Sequence, residues 1–269
     1  MKRWLLPHFP IVKINRETTK VRIVFDASAR YQGTRLNDVI EQGPTLQNSL
    51  FDVLLRFRYN RVAVCCDIQE MYLRVGIIPL DRRFHCFLWR ESSSENPEVY
   101  QFNRLVFGVN ASPYLAQFVS QHNARMHQSE FPFASETVLK STYMDDSMDS
   151  VENKETALLL YKELTEHWGE TGMLARKWIS NSKQVLENIP IENRAMKVDK
   201  TKEELPKLKT LGVTWIAESD IFTFDIGETK LSKDMTKRDY LKKLSTVFDP
   251  LNQSKDVNAR SVDFWYRLG

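Results

Sequence analysis

The amino-acid sequence predicts an α+β fold built on a split-βαβ sheet, and three observations carry that expectation. Strand and helix patterns interleave rather than segregate. Strand 62–68, helix 112–127, hairpin 139–151 and helix 153–168 follow in β-α-β-β-α order, which places the helices on one face of a ferredoxin-like sheet. A length of 269 residues, 42% hydrophobic and 27% charged, suits one or two packed domains. Nine Gly and ten Pro exclude collagen-like and low-complexity chains, and there is no internal repeat. Apolar runs such as Val62 to Cys66 reach only five residues, far short of the roughly 18 that a membrane helix needs. Pro7 and His8 interrupt the start MKRWLLPHFP before it becomes a secretory signal, so an intracellular, cytoplasmic protein is expected and not a secreted one. Three cysteines, two of them adjacent, support neither a disulfide frame nor a zinc site.

Taken in order, Ile11 to Ile14 and Lys20 to Asp26 read as a hairpin whose tip and second arm are basic. Leu46, Leu50, Val53, Leu54 and Phe57 recur at helical spacing, predicting a helix over 45–58. Val62 to Ile68 is an apolar run closed by an acid, the pattern of a buried strand with Asp67 at its end. Phe84 to Trp89 and Glu98 to Phe107 flank a polar loop as a second hairpin. Ser112 as N-cap and Pro113 as first helical residue open a helix whose apolar stripe is Leu115, Phe118, Val119, His122 and Met126. Leu139 to Tyr143 and Ser147 to Val151 flank a turn at Asp145 and Asp146, and an amphipathic helix runs over 153–168. Leu208 to Ile216 and Ile221 to Ile226 form a short hairpin, followed by a Lys-rich helical stretch from Asp234 to Phe248.

Charge is unevenly spread: residues 1–60 carry a net +5, 61–228 a net −6 and 229–269 a net +4, within a total of +3. Carboxylates concentrated between two basic ends suit a polyanion gripped from both sides with divalent metal at the centre; an ordinary solvated surface is the alternative.

Adjacent carboxylates at Asp145 and Asp146, in a tight turn between apolar runs, repel one another unless a cation offsets them. In the expected sheet the Asp67 strand lies beside that hairpin, bringing three carboxylates together. Such a cluster suits two Mg²⁺ ions about 3.5–4 Å apart, with Mn²⁺ as a substitute, for an in-line phosphoryl displacement. The plainer alternative is a pair of turn-forming aspartates.

The surrounding blocks TKVRIVFDAS (19–28), VCCDIQEMYLRVGIIPLD (64–81), YQFNRLVFGVNASP (100–113), YMDD (143–146), LARKW (174–178), LKTLGVTW (208–215) and FDPL (248–251) occur in an order that resembles the reverse transcriptases of Pao/BEL-type LTR retrotransposons, over residues 5 to about 251. The resemblance implies a right-hand polymerase fold: fingers at 1–44 and 75–111, palm at 45–74 and 112–227, and the start of a thumb at 228–269. It implies Asp67 and Asp145 as the main metal ligands with Asp146 beside them, and Tyr72 as an aromatic gate against a ribose 2′-OH. Arg22, with Lys13 as a looser candidate, would hold the triphosphate. Phe107 and Gly108 stand where retroviral relatives carry Gln-Gly, so base stacking or sugar packing would replace the Gln contact. Lys177 would be a general acid near the leaving pyrophosphate, and Leu211, Gly212 and Trp215 a primer grip. Core packing for Tyr72 and Trp215, and plain surface charge for Lys13 and Lys177, are the alternatives. The implied partners are an RNA or DNA template with its primer, dNTP, and other parts of a Gag-Pol-like polyprotein. After Leu251 the pattern stops, so an incomplete thumb is expected. The implied activity is RNA-directed DNA polymerisation, against a catalytically silent nucleic-acid-binding remnant of a truncated element.

Overall fold

The computed structural model describes residues 3–13, 20–195, 205, 207–210, 213–223 and 236. In chain order the elements are β1 (His8–Lys13), β2 (Lys20–Phe25), α1 (Leu36–Val39), α2 (Leu50–Phe57), β3 (Val62–Gln69), α3 (Met71–Arg74), β4 (Cys86–Trp89), β5 (Glu98–Gln101), α4 (Ser112–Met126), α5 (Pro132–Lys140), β6 (Thr142–Tyr143), β7 (Asp146–Val151), α6 (Lys154–Glu170), β8 (Leu174–Ser180), α7 (Lys183–Glu187), β9 (Lys207–Thr210), β10 (Val213–Ile216) and β11 (Ile221–Thr223). The chain divides into two units that exchange segments. Unit 1 holds Met1–Gln47, Ile68–Leu139 and Glu163–Leu174; unit 2 holds Asn48–Asp67, Lys140–Lys162 and Ala175–Gly269.

Unit 1 begins with the β1–β2 hairpin, antiparallel with Ile11 opposite Arg22 and Lys13 opposite Lys20. Its core gathers Leu6, Ala27, Leu36, Val106 and Val109. The second hairpin is shorter than its sequence pattern, because β5 ends at Gln101. Beyond it the chain turns to residues 75–77, with the Leu105 N–H donating to the Val75 carbonyl at 3.0 Å and the Ile77 N–H to that of Asn103 at 2.9 Å. Phe84 lies in a single 3₁₀ turn, before the strand.

Helix α4 departs from the expected stripe. Ser112 is its first helical residue rather than its cap, and its Oγ donates to the Val106 carbonyl at 2.7 Å. The buried face is Ser112, Ala116, Gln117, Ser120, Gln121 and Ala124. Leu115, Phe118 and Met126 are instead 38%, 45% and 67% exposed. Polar groups tolerate that burial because they are bonded: Ser120 Oγ donates to the Ala116 carbonyl at 2.9 Å and Gln121 Nε2 to that of Leu46 at 2.7 Å. Helix α5, which the sequence pattern does not single out and which takes in residues 139 and 140 of the strand expected over 139–143, starts under the carboxylate of Glu163, which accepts from the Phe133 and Ala134 N–H groups at 2.8 and 3.0 Å.

Unit 2 is organised by a four-stranded sheet in the order β6-β7-β3-β8. Counted as strands one to four of the sheet, β3, β6, β7 and β8 lie in the spatial order 2-3-1-4, the split-βαβ arrangement completed by β8, a strand that the sequence pattern does not single out. Helix α2 starts at Leu50 rather than at 45, because Ser49 Oγ accepts from the Asp52 N–H. Its apolar face packs Val53, Leu54 and Phe57 onto Ala63, Cys65, Met148, Ile179, Val213, Trp215 and Ala217. The expected arm at 208–216 divides into β9 and β10, which pair antiparallel, with β11 adding on the far side of β10. The hairpin tip 14–19 and, apart from Thr236, the Lys-rich stretch, the FDPL block and the thumb segment lie outside the described residues.

Candidate active site

Strand β3 is a fully buried apolar run until Asp67, whose side chain is the first to reach the surface. Its antiparallel partner β7 sets Asp67 directly opposite Asp146, and Cys66 opposite Ser147. Directly opposed residues have Cβ atoms about 4.5–5.5 Å apart, so two carboxylates share one patch of the sheet. Tyr143 pairs with Asp146, leaving Met144 and Asp145 as a two-residue turn. Met144 adopts φ +55, the left-handed conformation that such turns place on Gly or Asn. The hairpin is pinned from three directions: Asn48 Nδ2 donates to the Thr142 carbonyl at 2.8 Å, the Met148 N–H to that of Ser141 at 2.8 Å, and Thr142 Oγ1 meets Ser147 Oγ at 2.9 Å.

Lys177, on β8, donates to Asp67 Oδ2 and ion-pairs with it. Trp178 beside it is fully buried, packs edge-on against Tyr161 at 4.8 Å and donates from Nε1 to the Ala175 carbonyl, fixing the strand that carries the ammonium. Lys177 also has a left-handed backbone, φ +55, so two non-glycine residues in this uncommon conformation belong to the same carboxylate patch. Asp145 sits at the exposed tip of its turn, yet neighbouring protein crowds the carboxyl group. That partial burial raises its proton affinity above the ordinary carboxylate range, the charge of Asp67 adds to the rise, and its own N–H and Lys177 oppose it. The thiols of Cys65 and Cys66 are buried and held protonated, chiefly by desolvation, so neither is a nucleophile.

Of the residues singled out from sequence, the structure thus brings Asp67, Asp145, Asp146 and Lys177 together within unit 2. Among the described residues no three His, Cys, Asp or Glu side chains stand in a metal-holding group. The carboxylates share a patch without converging on a point, as like charges do while an ammonium occupies one of them. Tyr72, Phe107 and Gly108 belong to unit 1, where the Tyr72 and Phe107 rings meet edge-on at 4.6 Å and Phe107 is 64% exposed. Gly108 has φ +97, and a Cβ there would lie 2.5 Å from the Phe25 carbonyl oxygen, so only glycine fits. Lys13 and Arg22 lie on β1 and β2, their side chains outside the description; Leu211 and Gly212 fall outside the described residues. Trp215 is enclosed in the core, edge-on to Phe57 at 4.7 Å, with Nε1 donating to Asp220 Oδ1 at 3.0 Å. Sequence reasoning missed Asn37, whose side chain reaches residues 28, 108 and 110; its partners lie up to 73 positions away, so no local pattern announces it. No helix among the described residues is long and apolar enough to cross a membrane.

Residues 15–214 match the family model described as "Reverse transcriptase (RNA-dependent DNA polymerase)". No curated protein matches. Among solved structures, a foamy viral protease-reverse transcriptase in complex with RNA/DNA hybrid is similar at a TM-score of 0.56 and 14% identity, over 94% of this chain and 28% of that one. The dRH form of the foamy viral enzyme in complex with double-stranded DNA is similar at a TM-score of 0.57 and 17% identity, over 90% of this chain and 35% of that one. Prototype Foamy Virus protease-reverse transcriptase is similar at 0.52 and 17%, over 85% of this chain and 24% of that one. The chain therefore spans between about a quarter and a third of the length of these structures, and the likeness to them is one of fold. Because the family match covers residues 15–214, taking in β2, the carboxylate sheet and the start of β10, the chain belongs to the reverse transcriptase (RNA-dependent DNA polymerase) family.

Proposed function

We propose that this chain is the RNA-directed DNA polymerase domain of a Pao/BEL-type LTR retrotransposon, extending a primer on an RNA or DNA template with dNTPs inside the cell, alongside other parts of a Gag-Pol-like polyprotein. The observation that carries the proposal is the placement of Asp67 opposite Asp146, next to the Asp145 turn, with Lys177 on Asp67. The lineage rests on the seven ordered blocks, from TKVRIVFDAS to FDPL.

The donor set fits magnesium: three hard carboxylate oxygen donors at one end of the sheet, one of which has its proton affinity raised by burial first and by the charge of another second. Asp67, Asp145 and Asp146 would hold the metal, and two Mg²⁺ ions, or Mn²⁺ in their place, supply activation of the primer hydroxyl and stabilisation of the leaving oxygen when bound. Asp67 must give up Lys177 to take that role. The released ammonium is then available to protonate the departing pyrophosphate as a general acid. Tyr72, backed by the Phe107 ring, presents a wall that a 2′-hydroxyl would strike. Arg22 and Lys13, on facing strands of one hairpin, would hold the triphosphate. Leu211 and Gly212 would hold the primer end together with Trp215, which is buried. In this reading the fingers are 1–44 and 75–111, the palm 45–74 and 112–227, and the thumb starts at 228.

The test is Mg²⁺-dependent extension of a DNA primer on an RNA template by the purified chain, with Asp145→Asn as its partner. Extension by the parent and loss to background in the variant are expected. Equal activity in both would refute the assignment, and a parent that binds primed template without extending it would favour the silent remnant.

A further inference from the structure

The loop Phe107-Gly108 carries an aromatic ring that is mostly in water, so burial does not decide which way that ring points. Val106 and Val109 on either side are buried in the core of unit 1 and fix the ends of the loop. The peptide between them is fixed by Asn37. Asn37 Nδ2 donates to the Gly108 carbonyl at 2.9 Å and to Ser28 Oγ at 3.1 Å. Asn37 Oδ1 accepts the Asn110 N–H at 2.9 Å, while Asn110 Nδ2 returns a bond to the Asn37 carbonyl at 3.3 Å. The Asn37 N–H donates to the Ala27 carbonyl at 3.1 Å, and the preceding residue, Leu36, is wholly enclosed. One side-chain amide thus uses both donor hydrogens and an acceptor to tie the turn after β2 to the loop that ends in α4. Ser28 is itself held, its N–H donating to Asp26 Oδ1 at 2.8 Å. Gly108 is pressed against the Phe25 carbonyl from the other side, so its peptide is clamped between β2 and Asn37.

The geometry points to Asn37 as a positioning residue for nucleotide selection, which orients the Phe107-Gly108 peptide and through it the Phe107 ring against Tyr72. This rests on the polymerase reading above. The bonds that Asn37 makes are to residues 27, 28, 108 and 110, none of them a carboxylate of the candidate site, so the rate at saturating nucleotide should survive its loss. The affinity for the incoming nucleotide and the preference for deoxyribose should not. An aspartate at 37 keeps the acceptor for Asn110 but turns two donors into a carboxylate facing the Gly108 carbonyl. Alanine removes the fork entirely.

The experiment compares the parent with Asn37→Asp, Asn37→Ala and Asn110→Ala, the last of which deletes only the returned bond. Steady-state extension gives KM and kcat for one dNTP and for the matching rNTP, fluorescence anisotropy gives the affinity of a labelled deoxynucleotide without turnover, and thermal melting reports the folded fraction. For Asn37→Asp and Asn37→Ala, KM and dissociation constant should rise about tenfold, the equivalent of about 1.4 kcal/mol and what one or two lost hydrogen bonds of this kind cost. The dNTP/rNTP preference should fall alongside, with kcat within about threefold and a smaller effect of the same sign in Asn110→Ala. Folded variants with parental KM and parental sugar preference would overturn the assignment. So would a loss confined to kcat or to the folded fraction, which marks a structural role alone. If Asn37→Ala does not fold, Asn110→Ala decides. Failure of the parent to extend a primer at all would instead refute the polymerase reading, leaving the anisotropy comparison to judge Asn37 by itself.

Discussion

His167 should make the stability of this protein fall in mild acid, by an amount that can be worked out. The side chain is wholly enclosed in unit 1; Nε2 faces Asn123 Nδ2 at 3.4 Å, and Nδ1 has no hydrogen-bond partner among the described residues. Burial first, and the neighbouring His127 second, lower its pKa from 6.5 to about 4. The folded value lies below the unfolded one. As pH falls, the unfolded chain therefore takes up its proton first, and stability is full above about pH 7, lost progressively from 6.5 downward, and lost completely below 4. Linkage with those two values gives a loss of about 0.8 kcal/mol at pH 6, about 2 at pH 5 and about 3 at pH 4. Urea unfolding of the parent and of His167→Gln at pH 7.5, 6, 5 and 4.5 isolates the contribution, since every other titrating group is common to both. The parent should lose that much more than the variant along the series. Parallel profiles would refute the reasoning.

Asp145→Asn removes a carboxylate whose proton affinity is raised in the fold, a penalty present wherever the group is ionised. Without metal at neutral pH the variant should melt slightly higher, by less than about 1 kcal/mol since the turn is exposed, and the gain should vanish once the pH falls low enough to protonate the parent carboxyl. Tyr72→Val should raise ribonucleotide incorporation relative to deoxyribonucleotide, measured by competition on one template; unchanged discrimination would make Tyr72 a packing residue of the Phe107 pair. Trp215→Ala should cost about 3–5 kcal/mol in denaturant unfolding, because the indole is enclosed, packed edge-on against Phe57 and bonded to Asp220.

The carboxylate patch was legible in the sequence because its parts are local: an apolar run that stops at Asp67, and a turn that two aspartates interrupt. That the Asp67 strand lies beside the Asp145-Asp146 hairpin followed from the interleaved order of strands and helices; the register that sets Asp67 opposite Asp146, rather than Asp145, did not. Side-chain convergence did not follow, since the ion pair of Lys177 with Asp67 joins residues 110 positions apart. Helix α4 was placed within a residue of its true ends but turned the wrong way round, because hydropathy cannot see that Ser112, Ser120 and Gln121 are buried with their hydrogen bonds made. Helix α5 was missed for a related reason. Its first N–H groups are satisfied by Glu163, a partner 29 and 30 residues downstream. Strand β8, whose outward residues are exposed Arg176 and Lys177, has no alternating pattern to betray it.

The turned face of α4 also sets which substitutions this protein can absorb. Ala116, Ser120 and Ala124 recur every four residues on its inner side, and small residues on such a ridge let neighbouring segments approach to the near end of the usual 8–10 Å spacing. Enlarging any of them by a few carbons has no space to fill, so overpacking of about 1–3 kcal/mol is the expected toll. Leu115, Phe118 and Met126 can shrink or become polar at little cost to folding. A saturation scan across this helix should therefore run opposite to intuition, with tolerance highest at its largest apolar side chains and lowest at its alanines and serines, and divergent relatives should drift in the same inverted order.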